Sequence, residues 1–290
     1  MSSITYRRAD YAVDREQILK LYCDVFHIDF TEGYDKWFCD QNRKAIGIVA
    51  VDGGKEKIVG HWCLARFEAV VAGQRVAFRQ SLGTMTDAEY RGQGIAATLF
   101  KHLRQAVIKE RDTQFVIGFP NEASYRMLVG QLDFVFLRDY HFVVLPRREN
   151  QFQYKEDHVS YREQRDFFPG KNYLLHSAEY MEWHYCGEGY DKWQSENGHT
   201  FISARFMDKA DILYWSEAVT EEELLDFAAF LYTDKNVKRV TTWNSATFLD
   251  KYPAEARNYH MCIQCLDTSP ADRDKICKDW FFYMGDCDLF

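Results

Sequence analysis

Long apolar runs are missing from this sequence: no stretch reaches the roughly 18 apolar residues that a membrane-spanning helix needs, so no membrane association is expected. The apolar run of a signal peptide is missing too, because Arg7, Arg8 and Asp10 stand where it would begin, and a cytoplasmic location is the expectation. Cysteine is sparse. Eight residues spread over 290 are too few for a disulfide scaffold, so reduced thiols are expected. Tracts rich in Lys and Arg are absent, which argues against a nucleic-acid partner. The Gly-Lys-Ser/Thr ending of a phosphate-binding P-loop is absent as well. Cys262-Ile-Gln-Cys265 has no second such pair to complete a zinc site, and within a strand its two thiols face opposite ways.

What is present is the composition of a globular protein, with 47% hydrophobic and 28% charged residues. A chain of 290 residues is long for one core and comfortable for two. The charge divides unevenly. Residues 1–150 carry 21 Lys+Arg against 19 Asp+Glu, a net +2, whereas residues 151–290 carry 15 against 25, a net −10. A near-neutral half suits an anionic ligand, and an acidic half attracts a cation such as an amine or simply keeps the protein in solution.

Periodicity predicts a short strand at Ile4–Arg8, a helix opened by Asp14, and a helical patch around Tyr34–Phe38. An antiparallel meander of three strands follows: Ala45–Val51, Lys57–Val71 and Val76–Thr86. Arg91-Gly92-Gln93-Gly94-Ile95-Ala96 then leads into a helix with Ile95, Leu99, Leu103 and Val107 as its stripe. After it come a strand at Gln114–Phe119, a break at Pro120-Asn121, a helix over Glu122–Leu132 and a strand over Phe134–Leu145. The polar stretch Pro146–Gly170 marks a domain junction, giving domains 1–148 and 149–290. The second half repeats the grammar of the first in weaker form, with no glycine loop before the helix capped by Thr220.

The loop at Arg91–Ala96 carries the chemistry. Consecutive small residues let backbone N–H groups converge on an anion, and the helix N-terminus adds partial positive charge. A dinucleotide fingerprint would need a parallel strand–helix–strand unit, and here the preceding strands are a meander. Thr86-Asp87-Ala88-Glu89-Tyr90-Arg91-Gly92-Gln93-Gly94-Ile95-Ala96 resembles motif A of the GCN5-related N-acetyltransferases (GNATs), Arg/Gln-x-x-Gly-x-Gly/Ala. Asn121 resembles the motif B asparagine, Ser124 stands where that family often has alanine, and Asp133-Phe134 resembles the Gly-Phe that closes motif B. The likeness covers about residues 4–146 in the expected order of elements.

The resemblance implies a mixed α/β fold, a GNAT fold with a mostly antiparallel central sheet, followed by a second, degenerate GNAT-like half. It implies that the amides of Gln93, Gly94, Ile95 and Ala96, with Arg91 and Gly92, hold the pyrophosphate of acetyl-CoA or another short acyl-CoA, with no metal. Met85 and Thr86 would pair through their backbone with the pantetheine arm, one amide polarising the thioester carbonyl, and Asn121 and Ser124 would lie beside it. Many family members place a tyrosine seven residues after the asparagine as general acid. Here that residue is Leu128, and Tyr125 lies one turn earlier. Candidate bases are His61, Glu68, Asp87 and Glu89. The tail, Trp280 to Phe290 with Asp286 and Asp288, together with Tyr180–Tyr185, resembles long acetyltransferase-like proteins found with bacterial surface-polysaccharide enzymes. Its carboxylates either enter the acceptor site or belong to a frayed end. The function implied is acyl transfer to a primary amine, a small molecule such as an amino sugar. A non-catalytic acyl-CoA sensor and a tandem-domain aminoacyl transferase are the alternatives.

Overall fold

The computed structural model describes residues 3–27, 45–156, 168, 170–185, 189–216 and 219–287. The helical patch at Tyr34–Phe38, Asp288 and the end of the tail lie outside the described residues. The chain forms two compact units: Met1–Ala69 with Gln74–Arg138 and His260–Cys277, and Val70–Gly73 with Asp139–Tyr259 and Lys278–Phe290.

The first unit opens with β1 (Ile4–Arg8) and α1 (Tyr11–Phe26). The cap of α1 is Asp10, which accepts from the Ala12 N–H, because a side-chain oxygen there satisfies a first-turn donor. Asp14 does not open the helix as its sequence position suggested. It is buried within the first turn, where both its oxygens take the Arg7 guanidinium at 2.6 and 2.7 Å. β2 (Ile46–Asp52), β3 (Lys57–Val71) and β4 (Gln74–Thr86) form the antiparallel meander that the turn signals predict. α2 (Ile95–Glu110), β5 (Phe115–Gly118), α3 (Glu122–Gln131) and β6 (Val135–Val144) follow, and β6 passes out of the first unit after Arg138. Ile95, Leu99, Leu103 and Val107 place the stripe of α2 in a core with Ile46, Ile48, Ala50 and Val116; each such side chain contributes about 2 kcal/mol.

The second unit contains β7 (Tyr154–Glu156), β8 (Asn172–Leu174), α4 (Ala178–His184), β9 (Tyr190–Ser195), β10 (Thr200–Phe206), β11 (Lys209–Trp215), α5 (Glu221–Asp234) and β12 (Arg239–Trp243). β13 (Ala254–Cys265) begins in the second unit and ends in the first, where Cys262–Cys265 pair antiparallel with Phe115–Gly118 of β5. α6 (Pro270–Ile276) completes the first unit, and β14 (Trp280–Phe281) returns to the second beside β8. β14 covers only the first two residues of the aromatic tail, and a 3-10 turn over Met284–Asp286 follows it.

The second unit repeats the order meander, helix, parallel strand: β9–β10–β11, then α5, then β12 parallel to β11. The fold is thus mixed α/β with a mostly antiparallel sheet, in two similar halves. The helices that follow the two meanders start differently. α5 has a complete capping box, in which Thr220 and Glu223 satisfy each other's backbone N–H groups. α2 has glycine at its cap and no side-chain cap bond.

Candidate active site

In the first unit, β4 and β5 run parallel and are paired at Arg79↔Val116 and Gln80↔Ile117. Past that point β5 stops at Gly118 while β4 continues to Thr86. The joined end is fixed by charge. The Arg79 guanidinium, fully buried, donates to Glu110 at 3.0 Å, to Asp112 at 3.2 Å and to the Leu64 carbonyl at 3.3 Å. A buried arginine stays in place only when its donors are satisfied, so this network holds the end of α2 and the turn after it against β4. Sequence reading missed Arg79, because nothing in its neighbourhood distinguishes it from a surface arginine on a strand.

Thr86 ends β4, and the motif loop begins at once. A 3-10 turn over Ala88–Tyr90 is capped by Asp87, which accepts from the Glu89 N–H at 2.9 Å, and is tied down by the Tyr90 hydroxyl donating to buried Asp52 at 2.6 Å. Arg91 Nε donates to the Thr86 carbonyl at 3.3 Å, closing the loop on the strand end. Gly92 (φ 77°) and Gly94 (φ 74°) are left-handed, a conformation that costs any other residue about 1–2 kcal/mol. A Cβ at either would meet nothing within 4 Å, so the loop faces open space.

The first-turn amides of a helix have no partner within it. Among the described α-helices, α1, α3, α4, α5 and α6 each have a side-chain cap, from Asp10, Asn121, Ser177, Thr220 and Ser269 respectively; α2 alone has none. Its first helical bond of this kind is Thr98 N–H to the Gly94 carbonyl, so the amides before it point out of an exposed, glycine-flanked terminus. That is the geometry of a phosphate cradle, and the residues fit the pyrophosphate of a CoA.

Asn121 is the cap of α3, its side-chain oxygen accepting from the Ser124 N–H at 3.0 Å. Leu128, at the position of the family's acid, is buried in the core. A Cβ on Gly118 would lie 3.7 Å from its Cδ1. Tyr125 is partly exposed. Its ring packs at a tilt against His260, centroids 4.4 Å apart, and meets Phe136 edge-on at 5.9 Å, while His260 Nε2 pairs with Glu122 at 2.8 Å. His260 was invisible to sequence reading, since it arrives on β13 from more than a hundred residues away.

Of the candidate bases, Glu89 is exposed and pairs with Lys55 at 3.8 Å. Asp87 is held below the usual carboxylate range: its partial burial works against this, but the Lys57 ammonium at 2.6 Å wins. Glu68 pairs with Arg75 on the surface. His61 differs from all of them. It is fully buried on β3, its Nε2 lies 3.3 Å from the Tyr11 hydroxyl, and its ring contacts the backbone at Gly83, the residue of β4 with φ 51°. Burial pushes its pKa down from 6.5 to about 3, so the ring is neutral at physiological pH.

That shift makes stability depend on pH. The unfolded chain protonates His61 near 6.5 and the folded protein only near 3, so stability is fully present above the first value and is lost as pH falls toward the second. The loss runs at about 1.4 kcal/mol per pH unit. His61→Gln should flatten the acid arm of a denaturant-midpoint profile between pH 6 and 4. An unchanged slope would mean that the folded ring takes up its proton as readily as the unfolded one.

Asp286, in the second unit, is not part of a frayed end. It is fully buried, 2.7 Å from His176 Nε2, and accepts from the Tyr283 N–H at 2.8 Å. Tyr180, Tyr214 and Tyr283 surround His176.

Residues 5–130 match the family model of an acetyltransferase (GNAT) domain. That stretch has the sequence pattern of a GNAT domain. No curated protein matches the sequence. Solved structures similar to this chain include a GCN5-related N-acetyltransferase from Anabaena variabilis ATCC 29413, with 15% identity, a TM-score of 0.66, and 91% of this chain and 73% of that one covered. A probable N-acyltransferase from Enterococcus faecalis V583 has 11% identity and a TM-score of 0.64, with 92% and 73% covered. The N-myristoyltransferase of Saccharomyces cerevisiae with bound myristoyl-CoA has 10% identity and a TM-score of 0.60, with 91% and 83% covered. Likeness at these identities is a likeness of fold.

Proposed function

We propose that this protein moves a short acyl group, acetyl in the first instance, from CoA to the primary amine of a small molecule such as an amino sugar. The observation that carries the reading is the uncapped, glycine-flanked start of α2 beside a β4 that outruns β5. The cradle holds the pyrophosphate through the amides of Gln93, Gly94, Ile95 and Ala96, with Arg91 alongside. The pantetheine arm pairs with the backbone of Met85 and Thr86, and the amide that polarises the thioester carbonyl lies on β4. The amine attacks directly, without a covalent enzyme intermediate. With Leu128 buried, Tyr125 is the one phenol of α3 to protonate the leaving thiolate, and CoA thiolate also leaves unaided. The capping box of α5 supports a single cofactor site per chain, since the corresponding amide of the second half is satisfied.

The test is thiol release from acetyl-CoA and from long-chain acyl-CoAs against a panel of amino sugars, polyamines and amino acids. Turnover of acetyl-CoA that depends on one amine class is the expected result. Tight acetyl-CoA binding with no amine-dependent release would instead make the protein an acyl-CoA sensor. Preference for long acyl chains would overturn the acetyl assignment.

A further inference from the structure

β13 flanks β5 on the side away from β4, and its pairing with β5 fixes where His260 stands. The last pair is Cys262 with Gly118, the residue at which β5 stops. The strands run antiparallel, so His260, two residues back, is level with Pro120 at the break before α3. Residues two apart on a strand share a face. Cys262 lies in the core with Leu128 of α3, and His260 meets the same helix nearer its start, at Glu122 and Tyr125. Glu122, Tyr125 and Leu128 are spaced by three and lie along one side of α3.

Around Tyr125 the rings close up. His260 packs at a tilt against it with centroids 4.4 Å apart, Phe136 of β6 meets it edge-on at 5.9 Å, and His260 and Phe136 meet each other edge-on at 6.3 Å. The His260 ring is buried, and its Nε2 lies 2.8 Å from a carboxylate oxygen of Glu122. Glu122 itself is 76% exposed. A pair with one member in solvent adds little to stability, so the effect of this bond is on the ring: it fixes the imidazole that the phenol packs against.

We propose that His260, held by Glu122, is a positioning residue for Tyr125, setting the phenol for protonation of the leaving thiolate, a role that rests on the transferase reading above. In that step the amine nitrogen bonds to the thioester carbonyl carbon, the C–S bond breaks, and the Tyr125 hydroxyl proton passes to sulfur. The amine nitrogen sheds one proton to water and the phenolate takes one back, so acyl-CoA and amine become amide and free thiol. A phenol turned away from the sulfur loses this transfer without altering how either substrate binds. The effect belongs to kcat rather than KM.

Thiol release is followed with acetyl-CoA and the amine of the panel that the parent uses fastest. The proteins compared are His260→Ala, Glu122→Ala, Glu122→Gln, Tyr125→Phe and the Tyr125→Phe/His260→Ala double variant. Tyr125→Phe should lower kcat about 100-fold and His260→Ala about tenfold, with both KM values within about twofold of the parent. Glu122→Ala should lower kcat in the same way, and Glu122→Gln, whose amide oxygen still accepts from Nε2–H, should restore it. In the double variant kcat should be no lower than in Tyr125→Phe, because His260 acts only through the phenol. A further loss there as large as in the single variant would make His260 independent of Tyr125 and overturn the inference. So would a Tyr125→Phe protein with the parent's kcat. Glu122 is exposed, so its two variants decide the matter if His260→Ala fails to fold. A parent that releases no thiol with any amine refutes the transferase reading and the inference with it, whereas turnover indifferent to both His260→Ala and Glu122→Ala refutes the inference alone.

Discussion

Gly94→Glu should abolish CoA binding while leaving the protein folded. Gly94 stands at the cap of α2 with φ 74°, and a Cβ there would meet nothing within 4 Å. The substitution therefore creates no clash. Its cost to the fold is the left-handed backbone, about 1–2 kcal/mol. Its cost to the ligand is much larger. The new carboxylate projects into the space where the first-turn amides of α2 would receive a pyrophosphate, and it is drawn to those amides itself. Calorimetry with CoA should show affinity lower by at least about 100-fold, equivalent to about 3 kcal/mol. Gly94→Ala carries only the backbone strain and should lose about tenfold at most. A Gly94→Glu protein that binds CoA as the parent does would remove the loop as the phosphate site, and with it the main support for the proposed function.

Replacing Asp286 by alanine should be the most damaging single change in the second unit. The side chain is fully buried, and it is both the hydrogen-bond partner of His176 and the acceptor for the Tyr283 N–H. Alanine leaves a buried imidazole and a buried amide without their acceptor. Leaving a buried polar group unsatisfied costs about 1–3 kcal/mol, and here two groups lose their acceptor. The denaturant midpoint should fall accordingly at constant slope, followed by tryptophan fluorescence, which Trp215 and Trp280 in the same unit report. A surface carboxylate whose work is to attract an amine would behave in the opposite way. Its loss would raise the acceptor KM and leave the midpoint within about 0.5 kcal/mol of the parent. An unchanged midpoint would mean that the pair with His176 contributes nothing to the fold.

Some of this was legible because it is local. A glycine forced to positive φ, a stripe repeating every three or four residues, and a break at Pro120-Asn121 are each encoded within about ten positions of the chain. So the Arg91–Ala96 loop, α2, the start of α3 after Pro120-Asn121 and the repeated grammar of the second half could all be read from the letters. The aromatic run that opens the tail signals burial but not the element, since buried residues form strands and 3-10 turns alike.

What the sequence by itself determined is the likeness of residues 5–130 to a GNAT domain, the glycine loop at Arg91–Ala96 and the order of the described elements around it. Only the tertiary structure decided which distant side chains meet. It set His176 against Asp286, Arg79 against Glu110 and Asp112, and His260 against Glu122 and Tyr125. It also sent β13 from one unit into the other to pair with β5. The physical reason is that periodicity specifies which face of an element is buried but not what it is buried against. The partner is chosen by register and packing between segments far apart in the chain, and those are properties of the whole fold.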